Sequence, residues 1–356
     1  CHPAELAAWS DSAHAQAAAR PFYRAWFKMA DQRTNGEIGP FCAGCHTPIG
    51  LFSGQIRSRW GWKGQEQSPL SPAAAQGVTC ALCHGIVALT GEANGAYVLD
   101  PARLDHASTP HSPLSDLHSP LSTLQSPISN PHSPPCAACH EATNPASGLP
   151  VMTTVSEWQA SPYAADTACV DCHPAHGQPA QKGEVVAVEI LPPADASPGQ
   201  DMEIRVRVRN IAAGHSLPTG ASELRQLWLE MRVTDAAGRE LYHSGGVDDF
   251  GDPLPGSVTY GVVWQDADGH PTDRLWEAER LLRDHRLPAA GAMTERFRFS
   301  LPADVVGPLQ VQARLQFRRA GGYLTELMGI YLAEAMPPNE VEVWGEDALV
   351  VDGVGE

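Results

Sequence analysis

Eight of the nine cysteines stand in four copies of one frame: Cys42-Ala-Gly-Cys45-His46, Cys80-Ala-Leu-Cys83-His84, Cys136-Ala-Ala-Cys139-His140 and Cys169-Val-Asp-Cys172-His173. Thiols at i and i+3 fall on one face of a helical turn. From there they can bond the two vinyl groups of one porphyrin, and the histidine that follows lies beneath the ring and ligates its iron. Random placement of 9 cysteines and 15 histidines in 356 residues gives roughly 0.01 such frame per chain. A lone CxxC pair also suits zinc or a disulfide, but neither gives a reason for a histidine after every pair. The sequence therefore requires four covalent c-type haems, with thioethers at Cys42, Cys45, Cys80, Cys83, Cys136, Cys139, Cys169 and Cys172. His46, His84, His140 and His173 are their proximal ligands.

The composition changes near residue 182. All nine cysteines and 11 of the 15 histidines come before it, and alternating apolar and charged residues come after. The stretch GQPAQKG (177–183) reads as a linker, so the chain divides into a haem domain, 1–182, and a second domain, 183–356. Period-2 runs mark strands in the second domain: Met202 to Arg209, Leu227 to Val233, Phe297 to Leu301 and Leu309 to Phe317, with outer strands at 184–191 and 341–350. Six to eight such strands predict an all-β, immunoglobulin-like sandwich. The apolar spacing of Leu275, Trp276, Leu281 and Leu282 predicts a short helix over 272–285. The first domain reads as irregular and helical, with helices over Pro3–Arg20 and Glu157–Ala165. Loops alone give it no dry core, and haem faces supply the missing apolar surface.

Each iron has a second axial position. His14 in AAWSDSAHAQA and His215 in the Gly/Pro-bounded loop NIAAGHSLPTG are the first candidates for it. His176, three residues past His173, sits too close to that iron to reach its other face and would serve a neighbouring haem. His111 is preferred to His118, because both lie in a seven-residue Ser-Pro repeat (HSPLSDL, HSPLSTL, QSPISNP, HSPPCAA) whose prolines exclude a coiled coil and favour an extended path. The same composition permits O-glycosylation. His132 lies very near Cys136, and His106 stays open. His243, His270 and His285 read as ordinary residues of the β domain. Cys1-His2 looks like the end of a fifth frame, with a lipidated cysteine or a free thiol as the alternatives.

With 24 Lys+Arg against 41 Asp+Glu the net charge is −17, and no basic run argues for nucleic acid. No stretch of about 18 apolar residues predicts a membrane span.

The segments GVTCALCH (77–84), EWQASPYA (157–164) ahead of CVDCH, and AGHSLPTG (213–220) ahead of an alternating strand together resemble a multihaem cytochrome c family with a haem-binding first half and a β-sandwich second half. The resemblance implies that His215 and His14, the latter in a W-x-x-S-x-H-A helix, are distal ligands. It also implies kinship with a four-haem subset that polymerises into extracellular filaments. The chain departs from the pattern in the HSPL repeat and in the short PAHGQ after the fourth frame, where His111 and His176 lie. The expected function is electron transfer through mainly bis-His haems, by an exported protein of the periplasm, cell surface or exterior. Its expected partners are copies of itself joined head to tail, other redox proteins or an extracellular acceptor. A monomeric or lipid-anchored carrier is the alternative, as is a multihaem redox enzyme with one open haem. No residue is marked as a catalytic acid or base, and no CxxCK variant is present.

Overall fold

A computed structural model describes residues 3–57, 69–90, 93–100, 134–173, 185–193, 197–352 and 354. The chain forms two units. The first comprises Cys1–Ala180 with Arg274–Arg280 and Leu327–Pro337; the second comprises Gln181–Asp273, Leu281–Glu326 and Pro338–Glu356.

The first unit opens with α1 (Pro3–Ser10), and turns carry the chain through residues 11–19 to α2 (Pro21–Arg33). The helix expected over Pro3–Arg20 therefore stops at Ser10. Ser12 explains the stop: its hydroxyl accepts from the Ala15 amide at 3.2 Å, a local bond that competes with helix continuation. In α2, Pro21 starts the helix, and Ala25, Trp26, Met29 and Ala30 form its buried face. Then follow α3 (Gly39–His46), α4 (Pro48–Phe52), α5 (Cys80–Gly85), the hairpin β1 (Ile86–Leu89) and β2 (Tyr97–Leu99), α6 (Pro134–His140) and the hairpin β3 (Glu141–Thr143) and β4 (Pro150–Thr153). The unit's main run ends with α7 (Thr154–Gln159), a 3-10 turn over Pro162–Ala165, and α8 (Cys169–Cys172). The helix expected over Glu157–Ala165 is thus split, because Pro162 disfavours helical backbone at Ser161.

Two late segments complete this unit. Glu334 accepts both guanidinium NH groups of Arg24 at 2.8 and 3.0 Å, and the Tyr331 hydroxyl bonds Gln32, so α2 is gripped along one side. Trp276 packs against Trp26 with ring centroids 5.1 Å apart. The Asn144 amide donates to the Leu275 and Ala278 carbonyls at 2.7 and 3.0 Å.

The second unit is built on two antiparallel sheets. One has the order β13-β6-β5, from β5 (Val186–Leu191), β6 (Asp201–Asn210) and, later in the chain, β13 (Ala292–Ser300). The other runs β15-β14-β7-β8, from β7 (Gln226–Thr234), β8 (Glu240–Ser244), β14 (Leu309–Arg318) and β15 (Glu342–Val351), with β9 (Val258–Tyr260) also on β7. The alternation forces the register: Val311, Ala313 and Leu315 stand opposite Val233, Met231 and Leu229, and all six are buried. Ile204, Val206 and Val208 of the other sheet close the same core. A third, small sheet joins β11 (Pro271–Thr272), β10 (Val262–Gln265) and β12 (Arg280–Asp284). Here the helix expected over 272–285 is replaced by a 3-10 turn at Leu275–Glu277 and by β12. Only Trp276 of its four apolar residues is deeply buried; Leu281 and Leu282 are about half exposed, so their spacing marked no helix face.

Beyond β14, α9 (Gly322–Leu332) begins on an ion pair of a buried arginine with a half-buried aspartate. Asp252 accepts the Gly322 and Tyr323 amides at 2.6 and 3.0 Å and pairs with Arg318, whose guanidinium also reaches Gln226 and the Phe250 and Gly251 carbonyls.

Glu223 is the odd charge of this unit. Both carboxylate oxygens are shut from solvent without a partner of hydrogen-bond geometry among the described residues. Burial pushes its carboxyl up to about 7, only partly opposed by the Trp264 indole and the Arg225 guanidinium. The folded chain then binds a proton that the unfolded chain has released between the ordinary glutamate value and 7, so this group's contribution to stability falls as pH rises through that window. Glu223→Gln is expected to raise the unfolding free energy read from urea titration by about 3 kcal/mol at pH 8 and by under about 1 kcal/mol at pH 5. Equal effects at both pH values would show that the carboxyl does not titrate in this way.

Candidate haem-attachment centre

Each CxxCH frame folds as a short helix: α3, α5, α6 and α8. Thr79 caps α5, its hydroxyl accepting from the Leu82 amide at 3.2 Å. The Asp171 carboxylate accepts the Ala168 amide at 2.7 Å at the start of α8. In the first three frames, spacer residues Ala43, Gly44, Leu82, Ala137 and Ala138 are buried, the thiols are half-buried and the histidines are exposed. The frames thus turn thiols and imidazoles outward from the polypeptide core, as residues that grip a large planar group must. The fourth frame is more open, with Val170, Asp171, Cys172 and His173 all exposed.

The hairpin that follows α5 ties the first and third frames together. The Gly95 amide donates to the Ala138 carbonyl at 2.7 Å, and the Asn94 side chain exchanges bonds of 2.9 and 2.8 Å with the backbone of Thr143. The Tyr97 hydroxyl donates to the Gly44 carbonyl at 3.1 Å. Gly95 has φ +67°, and a Cβ there would come within 3.0 Å of the Gly44 backbone, so the close approach needs glycine on both counts. Frames three and four are linked in turn. Glu141, next to His140, caps α7 by accepting the Val155 and Ser156 amides at 3.1 and 3.2 Å, and the Trp158 indole donates to the Thr167 carbonyl at 3.2 Å, just before Cys169.

As a result, the thiols converge. Cys139 hydrogen-bonds Cys45 and Cys136 hydrogen-bonds Cys169; these bonds first, and burial second, push the Cys139 and Cys136 thiols upward. Burial pushes Cys42 up to about 12 and Cys83 up to about 11.

The rings of His14 and His140 stand edge to face, with centroids 6.2 Å apart and planes at 70°. An imidazole nitrogen lies about 2 Å from a metal it ligates, so two rings trans on one metal have centroids roughly 6 Å apart. The separation of the two rings matches that distance. His14 lies in a turn rather than on the helix expected for it. His46 lies flat on Tyr23, with centroids 4.3 Å apart and planes at 9°, and its Nδ1 faces the Ala17 carbonyl at 3.4 Å. Such a carbonyl holds a proton on Nδ1 and the lone pair on Nε2, the nitrogen that meets a metal. Tyr23 carried no sequence signal of its own; its place one turn into a Pro-initiated helix is the only clue.

His215, in the second unit, has the same tautomer bias, with Nδ1 against the Ser216 carbonyl at 3.1 Å. Its loop is fixed by the Asn210 amide, which donates to the His215 and Pro288 carbonyls at 2.9 and 3.1 Å. Elsewhere in this unit, His243 pairs with Glu230 at 3.0 Å, His285 Nδ1 meets the Thr259 carbonyl at 2.9 Å, and exposed His270 stands beside Asp266. His111, His118, His132, His106, His176 and Cys1-His2 lie outside the described residues. Among the described residues no helix is long and apolar enough to cross a membrane.

Residues 1–85 match the family described as cytochrome c554 and c-prime. A comparison with curated protein sequences gives no match. Among solved structures, a penta-heme cytochrome c552 from Thermochromatium tepidum superposes with a TM-score of 0.65 at 20% identity, over 99% of this chain and 97% of that one. A CARDB domain of the PF1109 protein from Pyrococcus furiosus, in complex with di-metal ions, aligns with 48% of this chain and 94% of its own at 13% identity, but with a TM-score of only 0.21. The fold shared along the whole chain, the match over the first 85 residues and the four attachment frames together support a multihaem c-type cytochrome.

Proposed function

We propose that this chain transfers electrons through four covalently bound haems, one on each CxxCH frame, with histidine on both faces of their irons and no catalytic centre. The His14–His140 pair carries the reading, because two imidazoles spaced for one iron leave no coordination site for a substrate. His140 is the proximal ligand of the third haem and His14 its distal ligand; His46, His84 and His173 are the other proximal ligands. His215 is proposed as a further distal ligand on the strength of its rigid loop and its Nδ1–carbonyl contact. His111 and His176 keep that role from the sequence reading alone. The exposed fourth frame makes its haem the natural point of entry or exit for electrons. The β unit is taken as an immunoglobulin-like domain, with the domain division near residue 182.

The test is the spin state of the loaded chain. Paramagnetic resonance of the oxidised protein is expected to show low-spin iron throughout, and His14→Gly is expected to convert one iron in four to high spin. A native high-spin signal would favour an enzyme with an open haem; an unchanged spectrum in the variant would remove His14 from the ligand set.

We further propose that the chain is exported and joins head to tail as a filament that hands electrons to redox partners or an extracellular acceptor. The supports are the resemblance to the filament-forming group and the open fourth frame. Negative-stain imaging of native material tests it: filaments are expected, and a monodisperse monomer at high concentration would refute them.

A further inference from the structure

Gly77 and Val78 hold the backbone of the His14 turn although they belong to the lead-in of the second attachment frame. The Val78 amide donates to the His14 carbonyl at 2.9 Å, and the Trp9 indole donates to the Val78 carbonyl at 2.8 Å. The Ala17 amide adds a second bond to the same His14 carbonyl at 3.2 Å. Gly77 has φ +69°, and a Cβ on it would come within 2.4 Å of the His14 carbonyl oxygen, 3.0 Å of the Ala15 carbonyl oxygen and 3.1 Å of the Ala17 amide nitrogen. These obstacles are backbone atoms, so no side-chain rotation relieves them. Either the turn moves or residue 77 does.

Residue 77 has little freedom. Thr79, two positions on, caps α5, and Cys80 begins the second frame. A tie of two or three residues therefore runs from the His14 carbonyl to the second attachment site. On the other side of His14, its ring reaches His140 of the third frame.

We infer that Gly77, with Val78 and Trp9, is the positioning element for the His14 axial ligand, so that the lead-in of the second haem frame sets the sixth ligand of the third haem's iron. The inference rests on the reading of His14 as a distal ligand. It also explains the glycine of GVTCALCH: any side chain at that position would push the ligand turn off its seat.

The experiment compares the loaded full chain with Gly77→Ala, Trp9→Phe and His14→Gly variants by paramagnetic resonance and redox titration, with and without added imidazole. Gly77→Ala is expected to reproduce the His14→Gly signature: one iron of four becomes high spin, one potential moves, and imidazole restores the low-spin signal. Trp9→Phe, which removes the indole hydrogen bond and keeps a smaller aromatic ring, is expected to give a partial conversion of the same iron. If His14→Gly gives the signature and Gly77→Ala stays fully low-spin, the positioning role is overturned while the ligand reading survives. If His14→Gly itself changes nothing, the ligand reading falls. Loss of several haem signals in Gly77→Ala without imidazole rescue would show a general structural role and overturn the inference. Imidazole rescue is the readout that a merely structural glycine would not give.

Discussion

Denatured and freed of loosely bound groups, the loaded chain is expected to weigh four haems more than its polypeptide, and a Cys42→Ala/Cys45→Ala double variant three. The expectation follows from chemistry rather than affinity. A thioether survives unfolding; a ligand held by packing or by thiolate coordination does not. The frames keep two thiols on one turn, and each presents an exposed imidazole at its end. A mass equal to the bare polypeptide, with zinc recovered in solution, would overturn the whole reading. A mass short by one haem would single out a frame, and the fourth, whose spacers are exposed, is the first to examine.

Arg318→Leu is expected to lower the stability of the β unit by about 2–3 kcal/mol, because the partner left behind, Asp252, is half-buried and keeps three donors while the Phe250 and Gly251 carbonyls lose theirs. Arg318 is nearly closed from solvent, and its guanidinium satisfies Gln226 and two carbonyls besides Asp252. Without it, Asp252 keeps its charge at the start of α9 with only amide donors. The measurement is the urea midpoint of the β-sheet signal in the full chain. Arg318→Lys, which keeps the charge but loses the fork, is expected to fall between the two. A shift below about 1 kcal/mol for Arg318→Leu would place the pair among exposed, weak ones.

Strands of the β unit were readable because one face of each is dry: Ile204, Val206 and Val208 alternate with charged neighbours, and the structure buries all three. The attachment frames were readable because chemistry fixes their spacing. The approach of His14 to His140 was not, since nothing local in either segment refers to the other. Tertiary context also decided the failures. Leu275, Trp276, Leu281 and Leu282 have helical spacing, but one indole packs on Trp26 while the two later leucines lie in a half-exposed strand. α2 escaped notice because its dry face (Ala25, Trp26, Met29 and Ala30) is interrupted by Arg24, Lys28 and Asp31, and Asp31 is itself buried.

The grip of Glu334 and Tyr331 on α2 joins residues 310 and 299 positions apart. Contacts so remote in sequence form late, after the chain between them has been made. Trp26 and Asn144 likewise find partners only beyond residue 273, in Trp276, Leu275 and Ala278. A fragment cut near residue 182 would therefore lose these bonds and expose the buried Trp26, even though it carries all four CxxCH frames.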